Sequence, residues 1–154
     1  MAARRPCLLL CLALLLAVPG CSRDQERGVP LACRQGEGAE EAVRRALASA
    51  PEEVRMDGTR LSECLNDTSS AGELQEVGAA YVGVASDLAP DATRRPEGRE
   101  ATQLGYLMGA MRRSATGAQG VGYELQRRLE QELSKVDTGS RAYRRGEAAG
   151  RRSG

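Results

Sequence analysis

Histidine, tryptophan, phenylalanine and isoleucine are all missing from this chain of 154 residues. Without histidine there is no imidazole to serve as a general base near neutral pH or to complete the common zinc ligand sets. Without Phe, Trp or Ile, a core must be assembled from Leu, Val, Ala, Met and four tyrosines. Large rings bury the most apolar area per residue, so each core position here gains less. Closer backbones over small residues, and a covalent staple, are the available compensations. The same shortage leaves little aromatic lining for an enclosed ligand pocket. Lysine is nearly missing too, Lys135 being the only one, and arginine carries the remaining positive charge. With abundant Ala and Gly, that bias fits coding in a GC-rich genome and indicates no particular chemistry.

What remains for catalysis is carboxylates, hydroxyls and one amine. Glu40-Glu41 and Glu52-Glu53 are adjacent doublets, whose members point apart instead of converging on a substrate. Gly117-Ala-Gln-Gly120-Val-Gly122 has the glycine density of a phosphate loop, but no strand precedes it and no Lys-Ser/Thr follows. A flexible turn between helices is the better reading. Asn66-Asp-Thr68 is a glycosylation triplet whose asparagine is better read as the end of a short helix. The expectation is a protein without catalytic residues, metal or cofactor.

The amino end is more informative. Arg4 and Arg5 precede an uncharged apolar run from Cys7 to Val18, which suits an export signal and is too short to span a bilayer. The run ends at Val18-Pro19-Gly20-Cys21. This stretch resembles a bacterial lipobox, with Val18, Gly20 and Cys21 at the matching positions; the resemblance covers residues 1–21 only. It implies that Cys21 is S-lipidated, begins the mature chain, and holds it to the extracytoplasmic face of the cell membrane. Ordinary cleavage after Gly20 is the alternative. It would leave Cys21, Cys33 and Cys64, an odd number for an oxidising compartment, whereas lipidation leaves two that can pair. A Cys33–Cys64 bridge would close a loop of roughly thirty residues and stabilise by about 3.5 kcal/mol in the chain-entropy picture.

After an aperiodic tether over residues 21–36, apolar residues recur at steps of three and four. Ala39, Ala42, Val43, Ala46, Leu47 and Ala50 predict a helix over residues 37–50, closed by Pro51. Residues 52–57 read as extended, with Val54 and Met56 on one side and Asp57-Gly58 as a turn, and no strand pair is expected. Thr59 is placed to cap a short helix through Leu61, Cys64 and Leu65. Ser70 with Glu73 forms a capping box, opening a helix in which Leu74, Val77, Tyr81, Val84 or Ala85, and Leu88 recur at helical spacing and which Pro90 should end. Pro96 should open the next, in which Ala101, Leu104, Met108, Met111 and Ala115 make a near-heptad seam. Thr116 and Gln119 suggest another capping box, one bent helix from 97 to 135 being the alternative. Val121, Leu125, Leu129 and Leu133 form the following stripe, and Ser140 caps a last helix to about Gly150. The whole reads as all-α, a single-domain bundle of about five to six helices with one disulfide.

Charge divides the chain. Residues 21–100 hold ten arginines against sixteen acids, and residues 101–154 hold ten cations against five acids. The expected meaning is an acidic half facing a basic one. Arginine is densest at the end, where Arg141, Arg144, Arg145, Arg151 and Arg152 could contact an anionic polymer or lipid headgroup. Two small-residue series also repeat at steps of four: Ala101, Gly105 and Gly109, then Ala142, Gly146 and Gly150. Glycine disfavours a helix by nearly 1 kcal/mol against alanine, so such spacing suggests close packing of the two segments.

These readings divide the chain into a leader (1–20), a lipidated tether (21–36), a helical domain (37–150) and a basic end (151–154). The expected function is a membrane-anchored, non-enzymatic binding or structural module of the cell envelope. Its partners would be the membrane, through Cys21, and an envelope protein or anionic polymer, with no nucleic acid. A small-molecule-binding lipoprotein and a carboxylate-based envelope hydrolase are the alternatives.

Overall fold

The computed structural model describes residues 31–34, 36–65, 70–114 and 121–154. The lipobox-like segment with Cys21, the triplet at 66–68, Ala115 and the capping box at 116–119 lie outside the described residues. Among the described residues, five helices make an all-α bundle: α1 (Ala39–Leu47), α2 (Ala71–Arg94), α3 (Arg99–Ser114), α4 (Val121–Glu132) and α5 (Arg141–Ser153). Among the described residues no helix is long and apolar enough to cross a membrane.

The first helix is shorter than its apolar pattern. Gly36–Gly38 is a 3-10 turn, and beyond Leu47 the amides of Ala48, Ser49 and Ala50 bond to the carbonyls three residues back. The strandless expectation for the next segment fails. Arg55–Met56 (β1) pairs antiparallel with Thr59–Arg60 (β2) across a two-residue turn. Asp57 and Gly58 both take positive φ, 46° and 85°, the backbone twist that such a hairpin needs. Thr59 is therefore a strand residue and caps nothing. The Glu63 carboxylate instead accepts from the Arg60 amide at 3.0 Å, at the start of a 3-10 turn over Leu61–Leu65. Val54, Met56, Leu61, Cys64 and Leu65 are all buried.

At α2 both halves of the capping box form: Ser70 Oγ accepts from Glu73 N, and the Glu73 carboxylate accepts from Ser70 N. Pro90 does not end this helix. Proline withholds an N–H from the carbonyl four residues back, but Ser86 and Pro90 are both exposed, so water can serve that carbonyl. Leu88 and Ala92 stay buried on either side and keep the helix docked through Arg94. Pro96 does not open α3 either; it lies in a turn closed by Gly98 N–H to Arg95 O at 2.8 Å.

Every residue of α3 from Ala101 to Met111 is buried, so the expected seam is only one side of a helix packed all round. No charged residue interrupts that stretch, which is the composition of a helix hydrophobic on every face. Its three polar side chains are bonded: Thr102 to Gly98 O, Gln103 Nε2 to Leu47 O at 3.1 Å, and the Tyr106 hydroxyl, which accepts from Val54 N at 2.9 Å. Leu125, Leu129 and Leu133 cover α3 and α2 from the α4 side.

The closest packing is between α3 and α5. Gly105 lies against Tyr143 and Glu147, and Gly109 against Glu147 and Arg151. Reciprocally, Gly146 lies against Thr102 and Tyr106, and Gly150 against Tyr106 and Ala110. Both numberings rise together, so the helices run parallel. A side chain on any of the four would fall on a backbone carbonyl oxygen of the other helix. Ala101 and Ala142, the remaining members of the two series, are fully buried. The α5 series continues to Gly154, where an added Cβ would stand 2.6 Å from Ala110 Cβ.

Parallel helices put two positive N-terminal ends together and two negative C-terminal ends together. At the first, the Glu97 carboxylate accepts from Arg141 N and Ala142 N, both at 3.1 Å, and Ser140 Oγ accepts from Tyr143 N at 3.2 Å. At the second, Arg113 donates to the carbonyls of Arg151 and Arg152, at 3.1 and 2.8 Å. Both ends are thus compensated by opposite charge. Gly105→Ala should destabilise by at least about 2 kcal/mol in urea unfolding, although alanine is the better helix former. Gly72→Ala, where a Cβ meets nothing within 4 Å, should change stability by less than about 1 kcal/mol, in the stabilising direction.

Candidate binding surfaces

A disulfide joins Cys33 to Cys64 and fastens the Leu31–Cys33 turn to the Leu61–Leu65 turn. Both sulfurs are in the core, so the bridge is structural and offers no exposed redox site. Arg34, next to it, pairs with Glu73 at the start of α2.

Helix α5 is two-faced. Ala142, Tyr143, Gly146, Ala149 and Gly150 face inward, while Arg141, Arg144, Arg145, Arg151 and Arg152 are exposed. The helix runs past Gly150 to Ser153, and Gly154 is buried. Three of the five arginines have partners within the protein: Arg141 with Glu97, Arg151 with Glu147, and Arg145 with the Thr102 hydroxyl. Arg144 and Arg152 form no ion pair among the described residues, and they are the cations this face can offer outward. The two halves of the chain do not face each other as acid against base. Arg141–Glu97 bridges them, but Arg112–Glu147, Arg44–Asp87, Arg60–Glu53 and Arg127–Glu124 each stay within one half. Short-range pairing within and between neighbouring helices uses the charges first.

Opposite charge also bears on the carboxylates. Arg55 and Arg60 hold Glu53 below its ordinary pKa by hydrogen bonding, and Arg127 and Arg128 do the same for Glu124. Both therefore stay ionised near neutral pH, the reverse of what a general acid needs. Among the described residues, no three of Cys, Asp and Glu gather closely enough to hold a metal ion.

The surface that the sequence reading missed lies on α2. A groove of about 840 Å³, open to solvent, is floored by Ala71, Leu74, Gln75, Gly78, Ala79, Val82, Gly83 and Ser86. Its α4 bank carries Glu124, Leu125, Arg128 and Glu132. On the α1 side, beyond the groove's own lining, Glu40 lies so close to Gly83 that an added Cβ would strike its carboxylate. Leu125 crosses onto the floor, against Gly78. A signal for this surface was present: Val77 to Ser86 are ten residues without a charge. One apolar stripe accounts for Val77, Tyr81, Val84, Ala85 and Leu88, and Val82 packs partly against the same core; Ala79, Gly83 and Ser86 remain as small uncharged residues on the outer face between the exposed Glu76 and Asp87. No protein family, curated protein or solved structure matches the chain, so these surfaces are read from their own geometry.

Beneath the basic face, burial pushes the Tyr143 phenol up to about 12, and the nearby Glu147 carboxylate adds to the rise. Burial likewise raises Tyr81, whose hydroxyl donates to Leu61 O at 2.8 Å. A phenol whose folded pKa exceeds the unfolded value near 10 contributes its full stability below that unfolded value. The contribution is then lost as pH climbs toward the folded pKa. Thermal melting should therefore be level between about pH 8 and 9 and fall steeply above pH 10. Tyr143→Phe should melt with a shallower alkaline fall; an unchanged slope would mean that Tyr143 is not desolvated.

Proposed function

We propose that this chain is an exported, lipid-anchored helical protein of the cell envelope that acts by binding or scaffolding and not by catalysis. The observation that carries the reading is the Cys33–Cys64 disulfide. Such a bridge suits an oxidising compartment. It also uses both cysteines downstream of Cys21, so that Cys21 is left as the single cysteine for lipid once the leader with Cys7 and Cys11 is removed. The lowered pKa values of Glu53 and Glu124, and the enclosure of the Arg112 guanidinium by Glu147 and Glu130, favour structural over acid–base roles for these charges.

On this reading the lipid on Cys21 holds the bundle to the membrane, and residues 22–30 space it from the surface. The basic face then contributes Arg144 and Arg152, with Arg145, as contacts for an anionic polymer or headgroup. The wild type, expressed in a bacterium, should partition into the detergent phase, and Cys21→Ser should move to the aqueous phase. Alkylation without reductant should leave the intact mass of the exported domain unchanged. Aqueous recovery of both forms would remove the lipid anchor from the account, and two free thiols at Cys33 and Cys64 would remove the oxidising compartment.

A further inference from the structure

The geometry points to the α2 groove as the docking site for an amphipathic helix of a partner protein, with an apolar face and cationic flanks. This deepens the binding reading above by naming the surface and the partner's chemistry. Between Glu76 and Asp87, α2 carries no charge on any face, as a buried helical segment would. Yet α2 exposes Ala71, Gln75, Ala79 and Ser86, with Val82 and Gly83 half-buried beside them. The floor runs from Ala71 to Ser86, which is about 22 Å of helix at 1.5 Å per residue. An open trough of that length, with small residues along its floor, matches a helix of three to four turns better than a compact ligand.

Charge selects the occupant. Arg128 is engaged by Glu124, with Nε to the carboxylate at 3.3 Å. Glu132 on the α4 bank and Glu40 beside Gly83 form no ion pair among the described residues. The lining thus presents the carboxylate of Glu132, with that of Glu40 next to the floor at Gly83, and a helix lying in the trough is favoured by Lys or Arg on its flanks. A second copy of the chain is a poor candidate. Pairing α2 with α2 would set Glu40 and Glu132 against carboxylates of the same kind, and the basic α5 face has no large apolar side chain exposed. With the leader removed, as the reading above has it, the chain's own remaining segments do not suit either: residues 22–30 contain only Val29 and Pro30 as apolar side chains, and 115–120 and 66–69 have no large ones.

The test uses the full exported chain carrying Cys21→Ser, which needs no detergent. The probe is a fluorescent peptide of about 18 residues, with Leu on one helical face and Lys on the flanks. Controls are the same pattern with Glu in place of Lys, and a scrambled Leu/Lys order. Fluorescence anisotropy should show saturable binding of the Leu/Lys helix and binding weaker by about tenfold or more for both controls. Ala79→Trp, at an exposed floor position, should abolish binding without lowering the melting temperature, and Glu132→Arg should weaken it severalfold. Should Ala79→Trp disturb the fold, Gln75→Arg at the same floor is the substitute and should give the same loss. Binding that survives these groove variants, or no binding at all, overturns the proposal. So does displacement of the peptide by submicellar dodecyltrimethylammonium at comparable affinity, which would make the groove a small-amphiphile site. None of these outcomes alters detergent partitioning of the wild type, so the anchor and the groove stand or fall separately.

Discussion

Backbone meets backbone between α3 and α5, and the rest of the molecule is arranged around that approach. Carbonyl oxygens of Tyr143 and Glu147 occupy the space that side chains at 105 and 109 would need, and those of Thr102 and Tyr106 do the same at 146 and 150. A chain without Phe, Trp or Ile cannot fill a wide space between helices, so it narrows the space instead. The short distance replaces area per side chain with many weak contacts between backbones. It also explains why the glycines are tolerated inside two helices that they intrinsically weaken.

Several features follow from this contact. With α5 seated along one side of α3, and with α1, α2 and α4 around the others, α3 is enclosed and must be uncharged from Ala101 to Met111. Because the two helices are parallel, their N-terminal ends need an anion, and Glu97 supplies it from the α2–α3 turn. The last turn of α5 reaches the hairpin region. There Ser62 donates to Gly154 O, and the Tyr106 hydroxyl accepts from Val54 N at 2.9 Å while lying 3.4 Å from Ser153 Oγ. The end of the chain, the hairpin and the central helix are thus joined by buried polar contacts. The disulfide ties the same region to the segment leading from the proposed membrane anchor. What the interior does not use is sorted outward: arginines on α5, carboxylates beside α2.

Much of this was legible in the residues, and the failures have specific causes. The capping box at Ser70, the Ser140 cap and the apolar stripes of α2 and α4 rest on local rules, and local rules sufficed. The bridge between Cys33 and Cys64 followed from counting cysteines. Pro90 and Pro96 misled because each rule about proline assumes that the local backbone decides. Docked neighbours Leu88 and Ala92 hold α2 past Pro90, and Glu97 is drawn to α5, with α3 beginning beyond it. The hairpin was missed because two-residue strands have no periodicity to read, although Asp57-Gly58 marked its turn. The α2 groove was missed for a different reason. One stripe accounts for the inner face of α2, and the small uncharged residues between Glu76 and Asp87 carry no periodicity that marks a groove.

The most direct measurement is thermal unfolding of the chain truncated after Gly139, followed by far-UV and near-UV circular dichroism beside the full-length domain. With α5 gone, Gly105 and Gly109 would line an open slot along a helix that has no charged face to show to water. The account predicts loss of cooperative unfolding and of the tyrosine near-UV signal. A truncated chain that melted at the full-length temperature would contradict it, and would make α5 an appendage of a core complete without it.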